Sequence, residues 1–139
     1  MCEICKRVKI KKHCFYEDDL VVACVSKEQV TLGKSSVYYK KHVESFFDLS
    51  EKERNDLMKS VLTAAKILKD KLNPDHFNYL LLGNYYSHLH WHIIPRYFDN
   101  SKDNFYFKGG LEPCHLGREI MGRYSVSEEK LRKLAVLLK

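Results

Sequence analysis

The sequence predicts an α+β protein with an antiparallel sheet and one central helix. Short apolar segments bounded by polar turn residues indicate strands in hairpin order, at residues 15–25, 35–42, 77–84 and 87–97. The segment 48–72 instead repeats its apolar residues at helical spacing. With 139 residues, 45% of them hydrophobic, the chain is expected to form one domain over residues 1–139 with a substantial core.

The elements of the first half follow from turns, apolar runs and caps. Residues 15–25, FYEDDLVVACV, hold a turn between two short strands, and residues 35–42, SSVYYKKH, form a third strand entered through Gly33. Ser50 and Glu53 then form a predicted capping box, and Asn73-Pro74 ends the helix. The helical apolar stripe is interpreted as core packing; it comprises Leu57, Val61, Ala64, Ala65 and Leu68.

The second half begins with FNYLLLGN, residues 77–84, a predicted buried strand. Residues 84–87 form a tight connection to the next strand. A polar, glycine-containing loop is expected over 99–110 and a helix over 127–138 within the tail 98–139. Cys114 and His115 in this tail are assigned no role.

The segment SHLHWHIIPRY, residues 87–97, alternates histidines with large apolar residues, which is typical of a strand. Its histidines, His88, His90 and His92, therefore share one face at roughly 7 Å spacing, while the apolar residues face a core. Pro95 is expected to end the strand or place it at an edge. One histidine would be explained by a solvent-exposed strand face, but Thr, Lys or Glu would serve equally well on such a face. Three imidazoles in register favour chemistry at metal or phosphorus.

Composition favours an anionic partner and an intracellular location. The net charge is +6, with a basic run at residues 6–12, and this balance suits nucleotides or nucleic acid without choosing between them. The N-terminal segment lacks the apolar core of a signal peptide, and no run approaches the ~18 apolar residues of a membrane span. We expect a soluble, cytoplasmic protein. Its five cysteines are expected to be reduced thiols or metal ligands rather than a disulfide framework.

Cys2 and Cys5, in the segment CEIC at residues 2–5, have the spacing that lets two thiolates reach one tetrahedral ion at about 2.3 Å. Such an ion needs two further ligands. Local sequence offers His13 and Cys14, although adjacent residues would need a sharp bend to point at one ion. A third interpretation leaves the N-terminal thiols free.

The segment HLHWHII, residues 88–94, resembles the signature of the histidine triad (HIT) superfamily of nucleotide hydrolases and transferases. The resemblance continues through CEIC, YEDDLVVA, KKHVESFFDLS, FNYLLLGN and HIIPRY, so it covers about residues 2–97. It implies a five-stranded antiparallel sheet with a long helix. It also implies a homodimer that joins two sheets.

The same resemblance implies roles for the residues near the histidines. His90 would attack the α-phosphorus of a nucleotide and form a covalent nucleotidyl-histidine, and His92 would hydrogen-bond the phosphate oxygens or the leaving group. Asn84 would contact phosphate, although a turn role fits it equally well, and Ser87 could add a donor. The resemblance to zinc-containing microbial members implies a structural zinc ion held by Cys2, Cys5, His42 and His88.

Two positions depart from the family pattern. Lys34 follows Gly33 where most members have histidine, and it could still neutralise phosphate. Ser26 stands near the position of an acidic residue that binds ribose in many members. The leading hypothesis is a hydrolase or nucleotidyltransferase acting on a nucleoside phosphoramidate, a dinucleoside polyphosphate or a related nucleotide ester. The alternative is a nucleotide- or nucleic-acid-binding module with weak or vestigial catalysis.

Overall fold

The computed structural model describes residues 1–103, 106–107, 110–111 and 124–139. The helices are α1 (Glu3–Ile10), α2 (Glu51–Leu72) and α3 (Glu128–Leu138), with a 3₁₀ turn at Phe46–Asp48. The strands are β1 (Cys14–Glu17), β2 (Val21–Val25), β3 (Ser35–Tyr39), β4 (His76–Leu80), β5 (His90–Arg96), β6 (Tyr106–Phe107) and β7 (Gly110–Leu111). Cys114 and His115 lie outside the described residues.

Strands β1 to β5 form one antiparallel sheet in the order β1-β2-β3-β5-β4, and β6 pairs with β7 separately. One face of the large sheet packs against α2 and α3. The side chains buried there include Val21, Ala23, Val37, Tyr39, Trp91, Ile93, Leu57, Val61, Ala64, Ala65, Leu68, Leu131 and Ala135. The predicted α+β class, with five antiparallel strands, a long central helix and a C-terminal helix, is confirmed.

The opposite face of the sheet carries a smaller apolar cluster and the histidines. Ile4 of α1 packs there against Val22, Cys24 and Tyr38, so α1 covers part of this face. Strand alternation places His90 and His92 on this side, since Trp91 and Ile93 pack in the core opposite. The sheet thus separates a helix-packed core from a face that is available for chemistry.

The ends of α2 form as the sequence predicts. The Ser50 side chain accepts from the Glu53 backbone N–H, and the Glu53 carboxylate accepts from the Ser50 N–H at 2.8 Å. Asn73 ends the helix in the left-handed conformation, with φ of 47°. In the described part of the chain, no helix has the length and apolar character needed to cross a membrane.

Two elements differ from expectation. Helix α1 was not predicted, because its eight residues bury a single side chain, Ile4, and show no full amphipathic period. Strand β4 was predicted to be buried, but it lies at the sheet edge and Tyr79 is 47% exposed. The apolar run at residues 80–82 resembles a buried strand, although Leu81 and Leu82 lie beyond β4 and are exposed.

The histidine strand β5 begins at His90, so His88 precedes it, and it continues through Pro95 to Arg96. Proline is tolerated inside this strand because β3 pairs with β5 only as far as Ile93. Beyond that point Pro95 is paired with Phe77 of β4. Because β3 no longer pairs with β5 there, the missing N–H of proline costs no hydrogen bond to β3.

A buried ion pair follows β5. The Arg96 Nε donates to Asp103 at 2.7 Å, and both side chains are at most 1% exposed. Asp103 also accepts from the Tyr97 backbone N–H at 3.2 Å, and Arg96 donates to the Asn78 side-chain oxygen on β4 at 2.8 Å. These bonds connect the end of β5 to the loop that follows it and to the edge strand.

Cysteine pairing differs partly from the expectation of reduced thiols. Cys14 and Cys24 face each other across β1 and β2, with Cα atoms 3.8 Å apart, and they form a disulfide. Cys2 and Cys5 are free thiols. The alternative metal set with His13 and Cys14 is therefore wrong: Cys14 is bonded to Cys24, and the His13 ring lies 2.8 Å from the Glu128 carboxylate of α3.

Candidate functional site

A cavity of about 660 Å³ opens on the sheet face that carries His90 and His92. Helix α1 and the loop 82–86 form its walls, and β2, β3 and β5 form its floor. The β3–β5 register places Tyr38 opposite His90 and Ser36 opposite His92. The polar side chains that line the cavity include Arg7, Ser26, Lys34, Asn84, His90 and His92.

His90 is buried, with 6% of its surface exposed, and its ring orientation is fixed by the backbone. Its Nδ1 lies 2.6 Å from the His88 carbonyl oxygen, which can only accept, so Nδ1 carries the proton. Burial lowers the pKa of His90, and Arg7 lies close enough to add to this effect, while the bond to His88 opposes it. The ring is therefore neutral at pH 7, with an unprotonated Nε2.

His92 lies beside His90, with ring centroids 5.1 Å apart in an edge-to-face arrangement. Burial lowers the pKa of His92 to about 4, with further contributions from His90, Lys34 and Arg7. Within the described part of the chain its Nδ1 has no hydrogen-bond partner. A neutral imidazole with an unused nitrogen inside a cavity is suited to hydrogen-bond a ligand.

Lys34 and Arg7 are two of the four Lys or Arg side chains that line this cavity, and they come from different elements. Lys34, directly after the Gly33 turn, is 7% exposed and lines the cavity near His92. Arg7 comes from α1 and was not anticipated from the sequence. Arg7 lies in a basic run, so its side chain resembles a solvent-exposed charge. The signal that could have placed it at the cavity is its position three residues after Ile4, on the same side of a helix.

A second polar cluster lies at the other end of α1 and joins Cys2, Cys5, His42 and His88. The Cys2 and Cys5 sulfurs are 3.1 Å apart, and the His42 and His88 Nδ1 atoms are 3.3 Å apart. Sulfur-to-nitrogen distances are 3.3 Å from Cys2 to His88 and 3.5 Å from Cys5 to His42. The predicted ligand set therefore converges, and these four side chains could hold a metal ion.

The surroundings of the cluster favour the deprotonated forms of His88 Nδ1 and the Cys2 thiol, which are the forms that bind metal. His88 is 1% exposed, and its Nε2 donates to the Tyr39 carbonyl oxygen at 2.7 Å, which leaves Nδ1 unprotonated toward the cluster. Burial alone would raise the pKa of Cys2. Hydrogen bonds from the Cys5 backbone and side chain and from the two histidines outweigh burial and lower it to about 6. A thiolate at this position is a ready metal ligand.

Comparison with known proteins identifies the fold and its relatives. The sequence pattern of the HIT domain matches residues 7–99, more than half of the chain. This chain belongs to the HIT family. An uncharacterized HIT-like protein from Methanocaldococcus jannaschii is 34% identical over 104 aligned positions, and the alignment covers 70% of this chain and 80% of that protein.

Solved HIT structures share the architecture. A HIT family protein from Bacillus anthracis is 29% identical and superposes with a TM-score of 0.63, covering 97% of this chain and 92% of its own. A hypothetical histidine triad nucleotide-binding protein from Sulfolobus tokodaii superposes with a TM-score of 0.74 at 24% identity, covering 99% and 89%. The resemblance noted from the triad is confirmed.

The remaining residues singled out from the sequence differ in whether they line the cavity. Asn84 is exposed in the loop and lines the cavity, as the phosphate-contact hypothesis requires. Ser87 is exposed and does not line the cavity. Ser26 lines the cavity, and its hydroxyl lies 3.2 Å from that of Ser36, which also lines the cavity.

Proposed function

We propose that this HIT protein hydrolyses or transfers nucleotides by attack at the α-phosphorus. Its substrates would be nucleoside phosphoramidates, dinucleoside polyphosphates or related nucleotide esters. The observation that carries the proposal is the orientation of His90: Nδ1 donates to the His88 carbonyl, and the ring that lines the cavity is neutral with Nε2 unprotonated. A neutral imidazole held in this way is a competent nucleophile toward phosphorus.

The proposed mechanism has two steps. His90 Nε2 forms a bond to the α-phosphorus as the bond to the leaving group breaks, and the leaving group takes up the electron pair. A leaving phosphate departs as the anion, whereas a leaving amine also takes a proton from water. Water then attacks the same phosphorus, releases the nucleoside monophosphate and restores His90. His92 hydrogen-bonds the phosphate oxygens or the leaving group, and Lys34 and Asn84 stabilise the negative charge. Ser87 requires movement of its loop to take part, because it does not line the cavity.

A covalent adduct on His90 tests this mechanism. Rapid quench with labelled diadenosine triphosphate and adenosine 5′-phosphoramidate, followed by peptide mapping, should find the nucleotidyl group on His90. His90→Ala should lose the adduct and lower turnover by a factor on the order of 10³ or more. His76→Ala, which removes an exposed histidine of β4, should retain both. An adduct on another residue contradicts the proposal.

The alternative function, a nucleotide- or nucleic-acid-binding module, is favoured by the net charge of +6 and by Lys34 in place of histidine. It predicts nucleotide binding without turnover of either substrate.

We further propose that the ion in the Cys2, Cys5, His42 and His88 cluster is zinc, in a structural role. Tetrahedral zinc with two thiolates and two imidazoles places its nitrogens roughly 3.3 Å apart and its sulfurs roughly 3.8 Å apart. The nitrogens of the cluster are at that spacing, and its sulfurs are closer, at 3.1 Å. Because His88 would bind the ion, His90 and His92 are left for the phosphate.

We also propose a cytoplasmic homodimer in which two sheets join. The edge strand β4, with Tyr79 47% exposed, offers a sheet edge and apolar surface to a second copy. Sedimentation at micromolar concentration should show a dimer, and a monomer alone would contradict this assembly.

A further inference from the structure

Arg7 is a cation at the cavity that the proposed mechanism leaves without a role. It lies on α1, two residues after Cys5, and its side chain is 46% exposed. Within the described residues it forms an ion pair with Glu3, whose carboxylate lies 3.9 Å from Nε. Such a long, solvent-exposed pair contributes little binding energy, so Glu3 does not neutralise the guanidinium effectively.

The guanidinium is nevertheless held in place beside the reacting histidine. One terminal nitrogen donates to the Tyr38 hydroxyl at 3.3 Å, and the group lies over the Tyr86 ring, 5.7 Å from its centroid. Tyr38 is paired with His90 across β3 and β5, and their ring centroids are 6.3 Å apart. Two tyrosines therefore position Arg7 at the cavity wall, next to the point of attack.

Arg7 and Lys34 reach the histidines from different elements. Arg7 bonds Tyr38, which is opposite His90, whereas Lys34 lies two residues before Ser36, which is opposite His92. The two cations therefore reach the cavity from separate elements, α1 and the turn before β3. Separate cations suit an anion with more than one phosphate group.

We infer that Arg7 forms a subsite for the phosphate that follows the attacked one, and that the substrates of this enzyme are nucleoside and dinucleoside polyphosphates. The inference rests on the proposed attack by His90. When the bond from the α-phosphorus to the bridging oxygen breaks, the electron pair stays on that oxygen, and the leaving phosphate becomes more negative. A planar guanidinium beside it can donate two parallel hydrogen bonds to that charge. A phosphoramidate releases an uncharged amine and gains nothing from Arg7.

The test compares two substrates in variants of the full chain. Values of kcat/KM are measured for diadenosine triphosphate and adenosine 5′-phosphoramidate. Arg7→Gln should lower the value for the triphosphate by a factor of about 10 to 100, the range expected for a hydrogen bond to a charged group, and change the phosphoramidate value by less than about threefold. Arg7→Lys keeps the positive charge but not the planar pair of N–H donors, so it should retain part of the activity on the triphosphate that Arg7→Gln loses.

Lys6→Gln is the matched control, because Lys6 is the neighbouring cation on α1, is 53% exposed and does not line the cavity. It should leave both substrates unaffected. Metal content and melting temperature are measured for each variant, and both should match the unmutated protein. Equal losses on the two substrates in Arg7→Gln would overturn the subsite, since a general disturbance of His90 does not distinguish leaving groups.

Binding separates this inference from the proposed function. The affinities of ADP and AMP are measured by calorimetry, which needs no turnover. Arg7→Gln should weaken ADP by about tenfold or more and leave AMP nearly unchanged. If the protein turns over neither substrate but shows this difference, the proposed reaction fails and the subsite stands. If ADP and AMP weaken equally, the subsite is rejected even in an active enzyme.

Discussion

His88 and His90 are neighbours on one side of the chain, yet they use opposite ring nitrogens. His88 donates from Nε2 to the Tyr39 carbonyl and turns Nδ1 toward the thiols, while His90 donates from Nδ1 to the His88 carbonyl and keeps Nε2 unprotonated. Each tautomer is set by one backbone oxygen. The sequence predicted which histidines share a face, but it could not predict these tautomers, because the accepting carbonyls are fixed by folding.

The pKa of His92 can be tested directly. Nuclear magnetic resonance titration of its ring should give a midpoint near pH 4, because burial disfavours the charged form and His90, Lys34 and Arg7 add positive charge nearby. Lys34→Gln removes one of these charges and should raise the midpoint. Lys66→Gln, on the exposed side of α2, should leave it unchanged. A midpoint near the ordinary 6.5 would contradict the environment described for His92.

The same shift has a consequence for stability. Between pH 6.5 and about 4 the unfolded chain binds a proton at His92 that the folded chain does not. The contribution of this residue to folding therefore falls as the pH falls through that window, and it is constant above it.

Elements with a full amphipathic period or an explicit cap were predicted from sequence, and shorter ones were not. Helix α2 has six buried residues and a capping box, so its pattern is unambiguous. Helix α1 has one buried residue, and its position depends on Ile4 meeting Val22 and Tyr38 from distant strands. Strand β4 was recognised as a strand but wrongly predicted as buried, because hydrophobicity does not reveal which strand lies at the edge.

The Arg96–Asp103 pair offers a test at the level of one element. Asp103→Ala should lower the free energy of unfolding by about 3–5 kcal/mol, since it leaves a buried guanidinium without its carboxylate. Asp70→Ala removes the exposed partner of Lys66 on α2 and should cost less than about 1 kcal/mol. Urea denaturation measures both. Equal small effects would show that the Arg96 environment is not closed to water.

At the scale of the molecule, the predicted metal set was brought together from three separate regions. Cys2 and Cys5 were identified by their spacing, and His42 and His88 by resemblance to a family, because nothing local connects residues 42 and 88 to the N-terminus. The structure joins all four within 4.8 Å. Arg7 was missed because its significance depends on Tyr38 and Tyr86, which lie far from it in sequence.

Metal analysis tests the cluster as a unit. The purified protein should contain near one zinc ion per chain, and Cys5→Ser and His42→Ala should lower both metal content and melting temperature, because binding free energy adds to folding free energy. His76→Ala removes another exposed histidine and should change neither. A metal-free protein whose stability is unaffected by Cys5→Ser would rule out a structural metal.

Helix α1 carries Cys2 and Cys5 at its start and Arg7 two residues later, within eight residues. A helix this short is unstable by itself in water, so its order depends on contacts at Ile4 and at the thiols. The histidines, by contrast, lie on or beside the central strands of the sheet. On warming, α1 is therefore expected to fray before the sheet opens, and discrimination between leaving groups would decline at a lower temperature than turnover itself.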